Sequence, residues 1–300
     1  MNVTFSAPGR AGIIGNPSDM YGGCVISCSV PVRNRCTIEE SDKWLLPDDT
    51  RLWDAAIQRF PVEGKYEVTW ETDVPRSSGL SGSTALLAAT LACILTVRGE
   101  ELPDDMRMFA ELVRDIELRE AGIVCGYQDA YMCVLGGLSF LDFHGKHPID
   151  SGPLGSLIPA ELPGQFLLVT TGVERLSGSV HGPIRERWLS GDEVVRENMR
   201  ELANLARVIS VDKDIEVLAE AMTRNYQIIQ ELGGSGDDID RLVQECLDNG
   251  ALSAKLAGAG MGGTVIALCD DPAELQQRLT KIGYTKFLRP TPTIGLVREA

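Results

Sequence analysis

Glycine is gathered in this chain rather than spread through it. The 31 glycines of the 300 residues concentrate around Gly9–Gly23, Gly79–Gly82, Gly122–Gly137 and Gly258–Gly263. Glycine permits tight turns and lets the backbone approach another group closely, so these four stretches mark the places where the fold must turn or touch something. Between them the pattern is readable. Lys65 to Asp73 alternates Val68, Trp70 and Thr72 with charged residues, as a strand does; Ser83 to Val97 reads as a buried Ala- and Leu-rich helix. Met106 to Glu120 is amphipathic, with Phe109, Leu112, Val113 and Ile116 on one stripe, and Leu138 to Phe143 reads as another strand.

From His147 to Gly164 prolines and glycines accumulate without periodicity, which predicts a crossing between two units, residues 1–155 and 156–300. Beyond it the pattern predicts a strand over 166–171, long helical segments over about 183–210 and 215–232, and a shorter helix ending near Asn249. Two strands should flank the turn at 258–263, and a helix over 272–282 and strands near Lys286 and Ile294 should finish the chain. Strands and helices mix without a regular βα repeat, which predicts an α+β architecture.

Lys and Arg number 28 against 43 Asp and Glu, a formal charge of -15, which opposes nonspecific attraction to nucleic acid or anionic lipid. The longest apolar run, Leu86 to Val97, falls short of the roughly 20 residues of a membrane span. The N-terminus has no basic region followed by a long apolar run, so a signal peptide is not expected. Eight scattered cysteines without a CxxC pair, and three histidines, give a zinc site little support; reduced, buried thiols in a cytoplasmic protein are the expectation.

Three glycine loops differ in what they can do. Gly258, Gly260 and Gly263 satisfy G-x-G-x-x-G, but Thr264-Val-Ile-Ala-Leu268 follows, a strand-like run where a dinucleotide site needs a helix. A hairpin turn is the plainer reading there. No P-loop string occurs. VPRSSGLSGSTALLAAT passes from a strand end through Gly79 and Gly82 into a helix start, where unpaired N–H groups and partial positive charge form an anion site. The alternative is that Ser81, Ser83 and Thr84 merely cap the helix. Two acids accompany these loops. Glu117 lies at the edge of the apolar stripe and Asp129 near the start of a short helix over 128–135. Alone, the first could be solvated and the second an N-cap. Near phosphates, carboxylates call for a divalent cation, and Mg²⁺ takes one or two such ligands plus phosphate oxygens.

On these residues the chain resembles the GHMP kinases (galactokinase, homoserine kinase, mevalonate kinase and phosphomevalonate kinase). APGRAGIIGNPSDMYGG is similar to that family's substrate-side motif, PRSSGLSGSTA to its phosphate loop and KLAGAGMGGTVIAL to its C-terminal glycine motif, in the family's order. The resemblance implies a mixed α/β N-terminal domain followed by a ferredoxin-like C-terminal one, with ATP and Mg²⁺ as cofactors. It implies that Pro75, Ser78, Gly79, Leu80, Ser81, Gly82, Ser83 and Thr84 bind the nucleotide and that Ser83 and Glu117 hold the metal. Asp129 would take the proton of the attacking hydroxyl, with Arg10 beside it. Asn16, Asp19, Gly258 and Gly260 would face the substrate.

Asn16-Pro17 stands where galactokinases read Glu-His, so their sugar contacts are not intact. GNPSD, GLSGS and SGSVHGPIRERWLSGD resemble the glucuronokinases within the family. That resemblance implies transfer to the anomeric hydroxyl of glucuronic acid, with sugar and ATP as partners; no nucleic acid or membrane partner is expected, and a monomer or homodimer is the expectation. Ser179, His181, Arg185 and Arg187 crowd the last segment, and arginine binds carboxylates bidentately. Ordinary surface ion pairs are the alternative for Arg185 and Arg187, and for Arg76 beside the phosphate loop. A neutral hexose or heptose acceptor, and a non-catalytic sensor of the same fold, are the competing functions.

Overall fold

The computed structural model describes residues 2–75, 77–149, 152–172, 178–258 and 263–299, with the side chains of 178–180 left aside. Two long strands open the chain. β1 (Asn2–Ile14) and β2 (Cys24–Glu40) pair antiparallel along almost their whole length, with register shifts between Pro8 and Arg10 and between Gly12 and Ile14. Neither is announced by alternation, because β1 is buried on both faces beyond its first residues and carries Gly, Pro and Arg in its middle. α1 (Arg51–Arg59) follows, another element that periodicity did not single out, and then β3 (Tyr66–Thr72) against the outer half of β2. α2 (Gly82–Val97), α3 (Met106–Arg119) and α4 (Tyr127–Leu135) come next.

α2 is buried all round from Thr84 to Leu95; its alanines let it lie close on the sheet. α3 buries Phe109, Val113, Ile116 and, on the same stripe, Glu117. β4 (Leu138–Asp142) pairs with the inner half of β2, and β5 (Ser156–Pro159) with β4. The predicted bare crossing at 147–164 therefore contains a short edge strand, and β5 begins at 156, so a division at 155/156 leaves that strand on the far side from its own sheet. Four residues with half-exposed side chains are too short to show a period.

β6 (Gln165–Thr170) starts the second half, followed by α5 (Gly178–Leu189), α6 (Glu193–Val211), α7 (Ile215–Glu231) and α8 (Asp237–Asp248). The helix expected over 183–210 is divided: Gly191 sits at φ +88° and the Asp192 carboxylate caps α6 by accepting from Val194 and Val195 N–H. β7 (Ser253–Leu256), β8 (Thr264–Cys269), α9 (Pro272–Lys281) and β9 (Phe287–Leu288) complete a four-stranded antiparallel sheet in the order β7-β8-β6-β9. Strand, helical excursion, hairpin, helix and strand, with that order, make a ferredoxin-like unit. A final strand, β10 (Val297–Arg298), returns to pair with β1, so the chain ends in the sheet where it began.

Each half has its own apolar core. A third cluster joins them: Ile13, Ile14 and Ile26 pack with Ala206, Leu218, Met222, Ile266 and Leu268, which fixes the two sheets' relative position. All eight cysteines are free and buried. Among the described residues no helix is long and apolar enough to cross a membrane.

Candidate active site

The phosphate-loop segment links β3 to α2 and is held at both ends by one side chain. Asn34 of β2 accepts from Val74 N–H at 3.1 Å and donates to the Gly82 carbonyl at 2.8 Å. Between these anchors Ser77 and Ser81 adopt left-handed φ values of 52° and 60°, and Gly79 one of 73°. Such a conformation costs a non-glycine residue about 1–2 kcal/mol, and strain of this kind gathers at functional sites. Pro75 is half-buried at the entry and Leu80 lies in the core, its carbonyl accepting from Arg10 N–H at 3.0 Å.

The capping alternative for the serines does not hold. α2 has no side-chain cap hydrogen bond, and the hydroxyls of Ser78 and Ser81 are buried without any partner. A buried hydroxyl without a partner is costly, so these two are donors that no described residue uses. Ser83 Oγ and Thr84 Oγ1 donate instead to Glu117, at 3.0 Å to Oε1 and 2.8 Å to Oε2. Glu117 is 1% exposed, and burial pushes its carboxyl up to about 7 despite those two hydrogen bonds. One carboxylate with a hydroxyl beside a helix N-terminus suits Mg²⁺, whose remaining ligands are phosphate oxygens and water. Among the described residues there is no cluster of three acids, histidines or cysteines, as a cage made wholly of protein would need.

Arg10, from the irregular middle of β1, connects this loop to a second group of residues. Its Nη1 donates to the Gly79 carbonyl at 2.6 Å; its Nε and Nη2 reach Asp129 Oδ1 at 2.8 and 2.6 Å. Asp129 is the third residue of α4, whose N-cap is Gly126, so it is no cap. Asp19 satisfies that helix start: its Oδ2 accepts from Gln128 N–H at 3.0 Å and its Oδ1 from Gln128 Nε2 at 3.3 Å. A side chain at 126 would put its Cβ 2.1 Å from Asp19 Oδ2, which explains the glycine there. Asp19 is fully buried, and burial raises its carboxyl to about 6.

Arg10, Pro17, Asp19, Gly126, Gln128, Asp129, His181 and Gly258 line one narrow pocket. Gly258 also backs the phosphate loop, since a Cβ there would lie 2.3 Å from the Gly79 carbonyl oxygen. Gly260 and Arg76 lie outside the described residues. Asn16, expected to face the substrate, is turned inward. Its Nδ2 donates to the Gly258 carbonyl at 3.1 Å, its Oδ1 accepts from Lys255 Nζ at 2.8 Å, and its carbonyl accepts from Asn225 at 3.2 Å. It stitches the two halves of the molecule together. Arg187 is likewise displaced from expectation: it pairs with Asp192 at 2.8 Å on the outer face, because two residues along a helix point away from each other. Arg185, on the inner face with His181, carries a buried Nε without a partner.

Sequence reasoning missed Asn34, Asn225 and Lys255. Lys255 is wholly buried and donates to Asn16 Oδ1, Leu256 O and Gly12 O, at 2.8, 2.8 and 3.3 Å. Burial, with Arg10 nearby, pulls it down to about 7. A lysine inside the apolar strand Ser253–Leu256 was a visible signal.

Two family models match the chain, GHMP kinases N terminal domain over residues 50–137 and GHMP kinases C terminal over 195–285. The chain belongs to the GHMP kinases, phosphotransferases that use ATP as donor and an alcohol group as acceptor. Among relatives, Glucuronokinase 1 of Arabidopsis thaliana is 29% identical across 92% of this chain and 88% of its own length. D-glycero-alpha-D-manno-heptose 7-phosphate kinase of Campylobacter jejuni is 25% identical across 89% of each. The crystal structure of Lactococcus lactis galactokinase complexed with galactose superposes with a TM-score of 0.78, covering 99% of this chain and 95% of its own at 17% identity. With relatives of this kind the protein is a sugar kinase of the GHMP family.

Proposed function

We propose that this sugar kinase transfers the γ-phosphoryl group of ATP to the anomeric hydroxyl of glucuronic acid. The observation that carries the reading is the Arg10 bridge, which joins the phosphate loop at Gly79 to Asp129 in the pocket lining. Donor and acceptor would thus meet across one guanidinium. Ser78, Ser81 and the uncapped start of α2 would hold the phosphates, and Ser83 and Glu117 would hold Mg²⁺. When bound, the metal would neutralise charge on the phosphates.

Both Arg10 contacts go to Asp129 Oδ1, so Oδ2 is the oxygen that would draw off the hydroxyl proton. As the bond from the anomeric oxygen to the γ-phosphorus forms, the bond from that phosphorus to the β-bridging oxygen breaks, and ADP leaves. Arg10 would orient Asp129 and spread the transferring charge. Positioning and charge neutralisation supply most of the acceleration in such transfers. The likeness to a glucuronokinase supports the acceptor, as does Arg185, whose buried Nε has no hydrogen-bond partner among the described residues and which lies four residues beyond the pocket residue His181. A coupled ADP-release assay over glucuronate, galacturonate, galactose, glucose and mannose tests this. Turnover with glucuronate well above the neutral sugars is expected; turnover with neutral sugars alone would refute the acceptor.

A further inference from the structure

Four polar atoms on the acceptor side are buried and have no hydrogen-bond partner among the described residues: Gln128 Oε1, His181 Nδ1, Tyr21 OH and Arg185 Nε. Native interiors satisfy nearly all such atoms, so four on the neighbouring segments 21, 128 and 181–185 indicate a ligand that would satisfy them. Gln128 and His181 line the pocket with Asp129. Tyr21 closes the short turn Ser18–Tyr21 that carries Asp19, and its phenol feels the charges of both Asp19 and Arg185. His181, Arg185 and Trp188 follow at i, i+4 and i+7 on one face of α5. The Trp188 ring packs on Tyr21 with centroids 5.4 Å apart and fixes that wall.

The order of these groups has chemical content. His181, 8% exposed and held neutral because burial lowers it to about 4, stands beside Asp129 and Arg10. Arg185 lies four residues on, about 6 Å along the axis. The near end offers neutral groups suited to ring hydroxyls. The far end offers a guanidinium and a phenol, suited to an anion.

Resting on the glucuronate reading above, we propose that Arg185 and Tyr21 form the subsite for the acceptor's carboxylate, with His181 and Gln128 holding ring hydroxyls between it and Asp129. The subsite would place a hexuronic acid with its carboxylate outward and its anomeric hydroxyl at Asp129. Arg187, paired with Asp192, takes no part.

Steady-state kinetics with glucuronate and glucose on Arg185→Met, Arg185→Lys and Tyr21→Phe test the assignment, with ATP affinity and Tm measured alongside. A hydrogen bond to a charged group contributes about 1.5–3 kcal/mol, so Arg185→Met should raise the glucuronate KM about 10- to 100-fold. Its kcat should stay within about 3-fold, and Arg185→Lys should recover part of the loss. Tyr21→Phe, which preserves the packing on Trp188, should raise the same KM about 3- to 10-fold and lower the preference for glucuronate over glucose. If the wild type phosphorylates glucuronate while Arg185→Met and Tyr21→Phe leave its KM unchanged, the subsite is wrong and the function stands. If the wild type ignores glucuronate, the function itself has failed. Arg185-dependent turnover of a sugar phosphate without turnover of glucuronate would overturn the carboxylate assignment.

Discussion

The proposed nucleotide side and the proposed acceptor side of the site are built differently. On the nucleotide side, one continuous segment from Val74 to Thr84 supplies loop and helix start, one acid from α3 meets two of its hydroxyls, and Asn34 ties both ends down. On the acceptor side, Asp19, Gln128, His181 and Gly258 arrive from four separate segments, and several polar atoms lack partners. The first arrangement suits a ligand common to a whole family. In the second, Gln128 Oε1 and His181 Nδ1 are bonded to nothing else among the described residues, so those atoms are open to a different ligand, whereas Asp19 and Gly258 also hold the α4 start and the phosphate loop. Arg10 belongs to both sides.

The largest effect should fall where the two sides meet. Asp129→Asn keeps an oxygen for Arg10 but cannot take a proton; kcat should fall about 10²- to 10⁴-fold with ATP binding retained, read by stopped-time ADP release and nucleotide titration. Near-normal kcat would remove Asp129 from its role. Gly258→Ala tests the contact between the halves. Its Cβ would meet the Gly79 carbonyl oxygen at 2.3 Å, so overpacking should cost about 1–3 kcal/mol in chemical denaturation and weaken ATP binding by displacing the loop. Stability and affinity both at the wild-type level would show the two glycine segments to be uncoupled.

A smaller, pH-dependent effect should mark the seam at Lys255. Its folded pKa, about 7, lies below its ordinary value, so between about pH 7 and the unfolded value the unfolded chain binds more protons. Stability contributed through this group therefore rises with pH above 7 and is level below it. The Tm difference between wild type and Lys255→Met should shift in the wild type's favour from pH 7 to 9; a constant difference would show that Lys255 keeps its charge throughout. Arg187→Ala should matter least. An exposed pair of this kind is worth about 0–1 kcal/mol, and glucuronate kinetics should not change.

What could be read from the sequence follows the same division. α2, α3 and the helices after 190 announce themselves by composition or period, and Ser83, Glu117 and Asp129 are singled out by the resemblance of the motifs around them to those of the GHMP kinases. β1 and the inner half of β2 do not, since burial on both faces and small residues erase alternation there. The inward turn of Asn16 depends on Lys255, Asn225 and Gly258, more than 200 positions away, and no local pattern carries such a partner. The outward turn of Arg187 was decided by where α5 begins and by Asp192, and its residue type alone left both readings open. Motifs thus marked residues that the structure gathers about one pocket, while long-range contacts decided which of their neighbours turn toward it.

Product regiochemistry tests the central claim that donor and acceptor converge across Arg10 with the anomeric hydroxyl at Asp129. Phosphorus-31 NMR of the glucuronate reaction, with proton coupling retained, should give a single new phosphomonoester doublet coupled to the anomeric proton. A phosphate coupled to any other ring proton, or consumption of ATP to free phosphate with the sugar unmodified, would contradict that geometry.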